Sequence, residues 1–410
     1  MLRLPFPRVP QKRLRDQPLN PPLPEPGPDE RAHSMQLSAL IANEIEAGGS
    51  MPFSRYMERA LYAPGLGYYS AGRTKFGAAG DFVTAPELGP LFARSIAAAL
   101  APAFAELGED AIFLELGGGS GAFAIAALRE LAARGTLPGR YLVLEPSADL
   151  RQRQQQRAEA ELPPGLAARL EWIPRPPEQA WRGVLFANEV IDALPATRFT
   201  LRGGEVMEEC IDLADGALVR VDRPADPLVS GAVRHLERSL GMAFPDGYRS
   251  ELLPQLPYWM QAVLGSLEAG IALFVDYGYP RQEYYLPERG DGTLVCHYRH
   301  RAHADPLLWP GLCDITAFVD FTAMAEAGTG AGFDFAGYAP QGQFLLASGL
   351  PALLEEAGGL PEPERLRAVA EAKRLTLPGD MGERFQAIAF ARGVADPLPA
   401  LRACDLSRRL

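Results

Sequence analysis

The chain is 410 residues long, 47% hydrophobic, and carries a formal net charge of −11. That size supports a large core, in one domain with insertions or in two. The acidic balance argues against a nucleic-acid partner, which needs a basic footprint, while leaving basic peptides and basic small molecules open; no apolar run approaches the roughly 18 residues of a membrane span.

Residues 1–34 are rich in proline and poor in aromatics, and Pro21 to Pro28 suits neither a helix nor a sheet ladder, so a disordered tail is expected. Arg3, Arg8, Lys12, Arg13 and Arg15 precede the first acid, Asp16, as in a mitochondrial presequence. The prolines break the amphipathic helix such a leader needs, and an extension upstream of Met35 is an equal reading. From residue 35 the chain turns periodic. Leu37, Leu40, Ile41 and Ile45 share one helix face ending near Gly48, and 52–62 reads as a second helix. A glycine-bearing loop, 76–88, follows, with Thr84 as a plausible helix entry before Pro86, and 88–107 is a long apolar-faced helix. Residues 35–110 thus form an N-terminal helical segment.

Ile112 to Leu116 is an apolar run of strand length, and 122–133 has apolar residues at helical spacing. Between them stand Gly117, Gly118, Gly119 and Gly121, so strand, glycine turn and helix make the first half of a βαβ unit. Gly117-x-Gly119-x-x-Ala122 fits a dinucleotide fingerprint. Glu115-x-Gly117-x-Gly119-x-Gly121 fits the acid-led glycine loop of class I S-adenosylmethionine (SAM) methyltransferases. The acid favours SAM, because a carboxylate attracts the cationic methionine end and repels a pyrophosphate. A turn that only packs helix on sheet is the third reading.

Further strands are expected at 141–145, 170–173, 183–187, 271–275 and 387–391, and two glycine turns mark a β meander over 197–221. Glu145 ends the second strand, where an acid takes ribose hydroxyls. Trp172 or Ile173 could flank an adenine, or be plain core. The fourth strand delivers Asn188, Glu189 and Asp192, and the fifth delivers Asp276. Residues 222–268 read as a helical insertion, 281–316 as a long polar loop, and 315–327 and 343–356 as helices. The core is thereby split into 111–221 and 269–400. Cys210, Cys296, Cys313 and Cys404 show no C-x-x-C spacing, which suits a reducing compartment. Methyl transfer calls for no metal, and none is expected at His297, His300 and His303.

Gly80-Asp-Phe-Val-Thr-Ala-Pro-Glu87, Glu115-Leu-Gly-Gly-Gly-Ser-Gly121, Asn188-Glu-Val-Ile-Asp-Ala-Leu-Pro195, Asp276-Tyr-Gly278, Pro310 to Thr316 with Val319-Asp-Phe321, and Gly342-Gln-Phe-Leu345 occur in order along residues 40–395. In these pieces the chain resembles the MidA-like methyltransferases, found in bacteria and, as a complex I assembly factor, in mitochondria. The resemblance implies an α/β, Rossmann-like class I methyltransferase sheet with SAM as cofactor. It implies cofactor contacts at Gly80, Thr84, Pro86 and Glu87, besides Glu115, Gly117, Gly119, Gly121, Glu145 and Asn188. Asn188 would contact SAM or fix the turn.

The mitochondrial members are protein arginine methyltransferases, so the expected acceptor is an arginine on a protein, with a homodimer as the other partner expectation. Glu189 and Asp192, three apart after a strand end, would share a helical turn, hold the guanidinium and accept its proton. Capping of that helix is their bland alternative. Asp276 is a lesser catalytic candidate, and His300 a substrate contact or loop-closing group. A small-molecule methyltransferase and a non-catalytic SAM-binding assembly factor stay open. The expected location is cytoplasmic, with the mitochondrial matrix as the alternative.

Overall fold

In the computed structural model, described for residues 23–71 and 84–410, an eight-stranded sheet forms the centre. Its main strands are β1 (Ile112–Leu116), β2 (Arg140–Leu144), β3 (Leu170–Ile173), β4 (Trp181–Asn188), β5 (Leu267–Tyr279), β6 (Asp334–Pro340) and β7 (Phe385–Arg392). They lie in the order β6–β7–β5–β4–β1–β2–β3, and Val319–Asp320 adds a short parallel strand on β5. β1 to β5 pair in parallel, while β7 runs antiparallel between β5 and β6. The path leaves β1 in one direction to β2 and in the other to β4, which creates the switch point where α/β sheets bind ligands. The register brings the strand ends level there: Leu116 faces Leu144 and Ala187, and Asn188 faces Val275.

Helices cover both faces, as a parallel sheet requires. In chain order the first helices are α1 (Pro28–Gly48) and α2 (Phe53–Tyr62), which pack on the meander, then α3 (Ala85–Leu88), α4 (Leu91–Leu107), α5 (Ala122–Ala133) and α6 (Ala148–Glu161). Strand alternation sorts the core. Phe113 joins Phe92, Phe104, Phe123 and Phe186 on the α4–α5 side, whereas Leu114 joins Met260, Phe274, Phe321 and Phe390 on the other. Phe123 stacks on Phe186 at 4.3 Å, directly beneath the glycine turn; truncating such a ring costs about 3–5 kcal/mol. Gly183 lets β4 lie against β1, because a Cβ there would run into the Ile112 carbonyl.

Several expectations change. α1 begins at Pro28, not near Met35: proline is tolerated in the first helical turn, and Glu30 reaches back to the Gly27 N–H at 2.7 Å. That turn is anchored, with Ser34 buried, His33 Nε2 2.8 Å from the Leu66 carbonyl and Arg299 Nη2 2.9 Å from Glu30. The 222–268 insertion holds helices Pro227–Leu240 and Leu256–Leu264, but also strand Arg249–Leu252, which pairs with Thr197–Arg202 of the meander. Its sequence is too polar to show strand periodicity, because Arg249 and Glu251 are paired to charges on neighbouring strands.

Within 281–316, Val295–Tyr298, Arg301–His303 and Asp314–Thr316 form a small sheet. The helix expected from 315 starts at Phe321, capped by Asp320. The one expected over 343–356 is two, Gln341–Ala347 and Leu350–Ala357, broken at Gly349 with φ +92°. Among the described residues, no helix is long and apolar enough to cross a membrane.

Candidate active site

At the carboxyl edge of the sheet lies a cleft of about 2500 Å³. Its floor begins at the glycine loop. Gly117, Gly119 and Gly121 have φ of +69°, +53° and +83°, where a side chain costs roughly 1–2 kcal/mol. Gly117 N donates to the Leu144 carbonyl at 3.0 Å, and Gly121 N to the Gly118 carbonyl at 2.8 Å. A Cβ on Gly118 would meet Val143 Cγ1 at 2.6 Å, but one on Gly119 would meet nothing within 4 Å. Gly118 is therefore required by packing, and Gly119 faces the open cleft.

Glu115 lies beneath the loop, 4% exposed, and accepts the Tyr141 hydroxyl at 2.7 Å. Burial pushes its carboxyl up to about 8; the Tyr141 bond opposes the shift and Glu145 adds to it. Glu145, at the end of β2, accepts Ser147 N at 3.0 Å and Gln154 Nε2 at 3.3 Å. Gln154 also donates to the Gly119 carbonyl at 2.9 Å and accepts Trp172 Nε1 at 2.7 Å. Trp172 thus braces the loop from behind, and neither it nor Ile173 lines the cleft. On the opposite wall, Thr84, Pro86 and Glu87 line the cleft at α3, and Glu87 accepts the Ser120 hydroxyl. Gly80 lies outside the described residues.

β4 runs out at Asn188 into a turn, not into the expected helix. Glu189 sits at φ +52°, with its N–H on the Val275 carbonyl at 3.0 Å. Asp276 holds the turn together: one oxygen accepts Ile191 N at 3.0 Å and Asp192 N at 3.3 Å, the other Tyr277 N at 2.9 Å. Asp276 does not line the cleft; burial first, then Asp192 and Glu189, hold its carboxyl well above the usual range. With no helix here, helix capping does not account for Glu189 and Asp192.

Both carboxylates line the cleft. Asn188 Nδ2 donates to Glu189 at 3.0 Å, while Asn188 Oδ1 is buried without a hydrogen-bond partner. Burial, then Asp192, pushes the Glu189 carboxyl up to about 8, against hydrogen bonds from Asn188 and the Ala85 N–H. Burial raises Asp192 to about 6, opposed by the Tyr277 hydroxyl, which donates to it at 2.6 Å.

Asp314, Tyr62 and Tyr69 complete this acidic, aromatic well. Tyr69 donates to Asp314 at 2.9 Å, stacks on Tyr62 at 5.5 Å, and Tyr62 donates to the Ala193 carbonyl at 2.8 Å. No spacing rule marks these three, since they come from α2, the turn after it and a strand some 250 residues on (Tyr69 to Asp314 spans 245). His300 is displaced from the site. Arg299 and His300, at φ +46° and +61°, form a two-residue hairpin tip, where His300 is exposed, and His297 on the adjoining strand lines the cleft instead.

A family model described as S-adenosyl-L-methionine-dependent methyltransferase matches residues 95–339, more than half of the chain. The chain belongs to this methyltransferase family. The protein arginine methyltransferase NDUFAF7 homolog, mitochondrial, of Drosophila melanogaster is 31% identical, over 92% of this chain and 90% of that protein. Protein arginine methyltransferase NDUFAF7, mitochondrial, of Danio rerio is 26% identical, over 84% of each. A crystal structure of a Burkholderia thailandensis protein bound to S-adenosyl-homocysteine superposes with a TM-score of 0.88, at 42% identity, covering 95% of this chain and 100% of that one.

SAM is accordingly the methyltransferase's cofactor, and the site has room and partners for it. The open face of Gly119 leaves space for a ligand to approach the backbone, Glu145 offers a carboxylate at the end of β2, and Asn188 Oδ1 is an acceptor awaiting a donor. Glu115 is held by Tyr141 beneath the loop, and burial keeps its carboxyl largely neutral near pH 7, so its part here is to brace the turn.

Proposed function

We propose that this methyltransferase modifies an arginine guanidinium of a protein, in the well formed by Glu189, Asp192 and Asp314. The supporting observation is the convergence of these three carboxylates, with Tyr62, Tyr69 and Tyr277, on one part of the cleft. Carboxylates match the guanidinium fork, and aromatic faces attract its plane. A cation entering the well offsets the cost that burial imposes on Glu189 and Asp192. The volume also favours a large acceptor, because pockets for one small ligand are typically about 300–1,000 Å³ and this cleft is about 2500 Å³. The names of the curated relatives point the same way.

The cofactor supplies a methyl group already activated on a sulfonium. The protein's part is orientation and proton handling. Asp192, fixed by Tyr277, orients the guanidinium. As its nitrogen takes the methyl it sheds a proton, and Glu189 is the base placed to receive it. Asp276 keeps both carboxylates in place through the turn's N–H groups.

The test is transfer of label from SAM into protein and small-molecule fractions of cell extract, with wild type and Glu189→Gln. Label in protein arginine, lost in the variant by roughly 10²-fold with SAM affinity retained, is the expected result. Label confined to small molecules removes the arginine acceptor. Cell fractionation decides between the cytoplasmic location that cysteine usage suggests and the mitochondrial one carried by the relatives' names.

A further inference from the structure

One wall of the cleft, away from the glycine loop, is rich in arginine. Arg198 is 3% exposed and pairs with Glu251 at 3.0 Å and Glu209 at 3.3 Å. Arg249 pairs with Glu209 and with Asp222, and Arg220 lies 3.8 Å from Glu209. These charges are answered within the protein. Arg289 is the exception on that wall. Its guanidinium carbon lies over the Tyr279 ring, 4.0 Å from the centroid, and its Nε is buried without a hydrogen-bond partner. It makes no ion pair among the described residues. Its neighbours Glu288 and Asp291 are exposed, and Asp291 is turned to Arg198 at 3.8 Å.

Arg289 is joined to the acidic well by aromatic rings. Tyr279 stacks on Phe318 at 5.5 Å, Phe318 meets Tyr277 edge-on at 5.0 Å, and the Tyr277 hydroxyl is on Asp192. Tyr277, Tyr279, Phe318 and Arg289 all line the cleft. An apolar track of rings thus runs along the cleft from the Tyr277–Asp192 pair to the unpaired guanidinium of Arg289. An extended peptide advances about 3.3 Å per residue, so the track spans on the order of three to five residues.

We propose that Arg289 is a specificity-determining residue that takes a carboxylate of the protein acceptor, placed about three to five residues from the methylated arginine. The inference rests on the arginine-acceptor reading above. An acidic residue at that distance has its carboxylate forked by Arg289, which the Tyr279 ring already holds in place, so less side-chain freedom is lost on binding. The same recognition serves a C-terminal carboxylate at that spacing, and the two sources are separable by peptide design.

The experiment compares peptides with one arginine and a glutamate or glutamine two to six residues away on either side, as methyl acceptors for wild type, Arg289→Ala and Arg289→Lys. Wild type should prefer the glutamate peptide at the matching spacing by roughly tenfold in kcat/KM, the scale of one charge-assisted bond. Arg289→Ala should bring the glutamate-to-glutamine ratio of kcat/KM to about one, whatever its absolute rate, and Arg289→Lys should keep part of the preference. A peptide ending in a free carboxylate at the same spacing, with no glutamate, identifies the chain terminus as the source if it alone is preferred.

A second measurement does not need arginine methylation. Acetyl-Gly-Glu-Gly-amide titrated into the protein with S-adenosyl-homocysteine bound should perturb wild type and not Arg289→Ala. Equal use of glutamate and glutamine peptides by wild type, or a preference that survives Arg289→Ala, overturns the proposal. Peptide binding through Arg289 with no arginine methylation keeps the subsite and removes the arginine acceptor.

Discussion

If Glu189 must be ionised to hold a guanidinium and take its proton, the reaction should carry that group's titration. Burial first, then Asp192, places its carboxyl at about 8. The ionised fraction then falls tenfold per pH unit below that point, to about a tenth at pH 7 and a hundredth at pH 6, each unit being about 1.4 kcal/mol. With SAM saturating and an arginine peptide well below saturation, kcat/KM should climb with a slope near one up to about pH 8 and then level. Asp192, at about 6, adds steepness only at the acid end. Glu189→Gln cannot titrate, so its profile should be flat across this limb. Its deficit should be roughly 10²-fold at pH 8.5, the scale of losing a positioned base, and should shrink towards pH 6, where wild type is itself mostly protonated. Initial rates between pH 5.5 and 9.5 at constant ionic strength measure this, with S-adenosyl-homocysteine affinity followed over the same range to separate out Glu115. A wild-type profile flat from pH 6 to 9, or a deficit in Glu189→Gln that is the same at every pH, would refute the reasoning.

Gly119→Val should abolish SAM binding in calorimetry while leaving a folded protein, because its Cβ has no protein atom within 4 Å and the strain of a side chain at φ +53° is only about 1–2 kcal/mol; undiminished SAM affinity would mean that the ligand does not pass over this residue. A chain starting at Met35 should melt several degrees lower than the full chain, since it loses the Glu30–Arg299 pair, the His33–Leu66 contact and buried Ser34, and an unchanged melting temperature would contradict the anchoring of α1. For Glu115 the folded pKa of about 8 lies above the ordinary 4.5, so wild-type stability falls as pH rises between them, by at most about 1.4 kcal/mol per unit. Glu115→Gln without cofactor should therefore melt higher than wild type at pH 8.5 and level with it at pH 4, and a difference that does not vary with pH would show that the carboxyl titrates normally.

The central sheet was legible because its strands are buried on both faces and stand out as short apolar runs, and because each delivers its polar residue one step past the last hydrophobic one. Glu145, Asn188 and Asp276 follow that rule, whereas Glu115 lies within its strand and is marked by its spacing to the glycines, and the structure aligns the strand ends. What was hidden depends on partners distant in the chain. Strand Arg249–Leu252 is held by charges, and the anchoring of α1 needs Arg299, Leu66 and a proline in the first turn. The turn after Asn188 could not be told from a helix, because Asp276 fixes it from another strand. The 281–316 segment was polar enough to pass for a loop, yet its strands pair with one another and carry Asp314 into the well.

Two acidic clusters in this protein sort by what answers them. Glu209 and Glu251 are as buried as any carboxylates here, but Arg198 and Arg249 lie against them, and they tie the meander together. Asp192 and Asp276 are buried with half-buried Glu189 beside them, and none of the three forms an ion pair among the described residues. Their carboxyl pKa values are raised by burial and by one another, as is common where a site is kept ready for a ligand. The hydrogen bonds from Tyr277, Asn188 and the backbone hold their geometry without supplying the missing charge. On the proposed reading that charge comes with the acceptor, a cation beside the SAM site whose arrival would lower all three carboxyl pKa values together. A neutral guanidine isostere should then bind the well far more weakly than the guanidinium, and the gap should narrow as pH falls below about 8, where Glu189 no longer carries its charge. Equal binding of the two at pH 8.5, measured with S-adenosyl-homocysteine in place, would show that the cluster is answered in some other way.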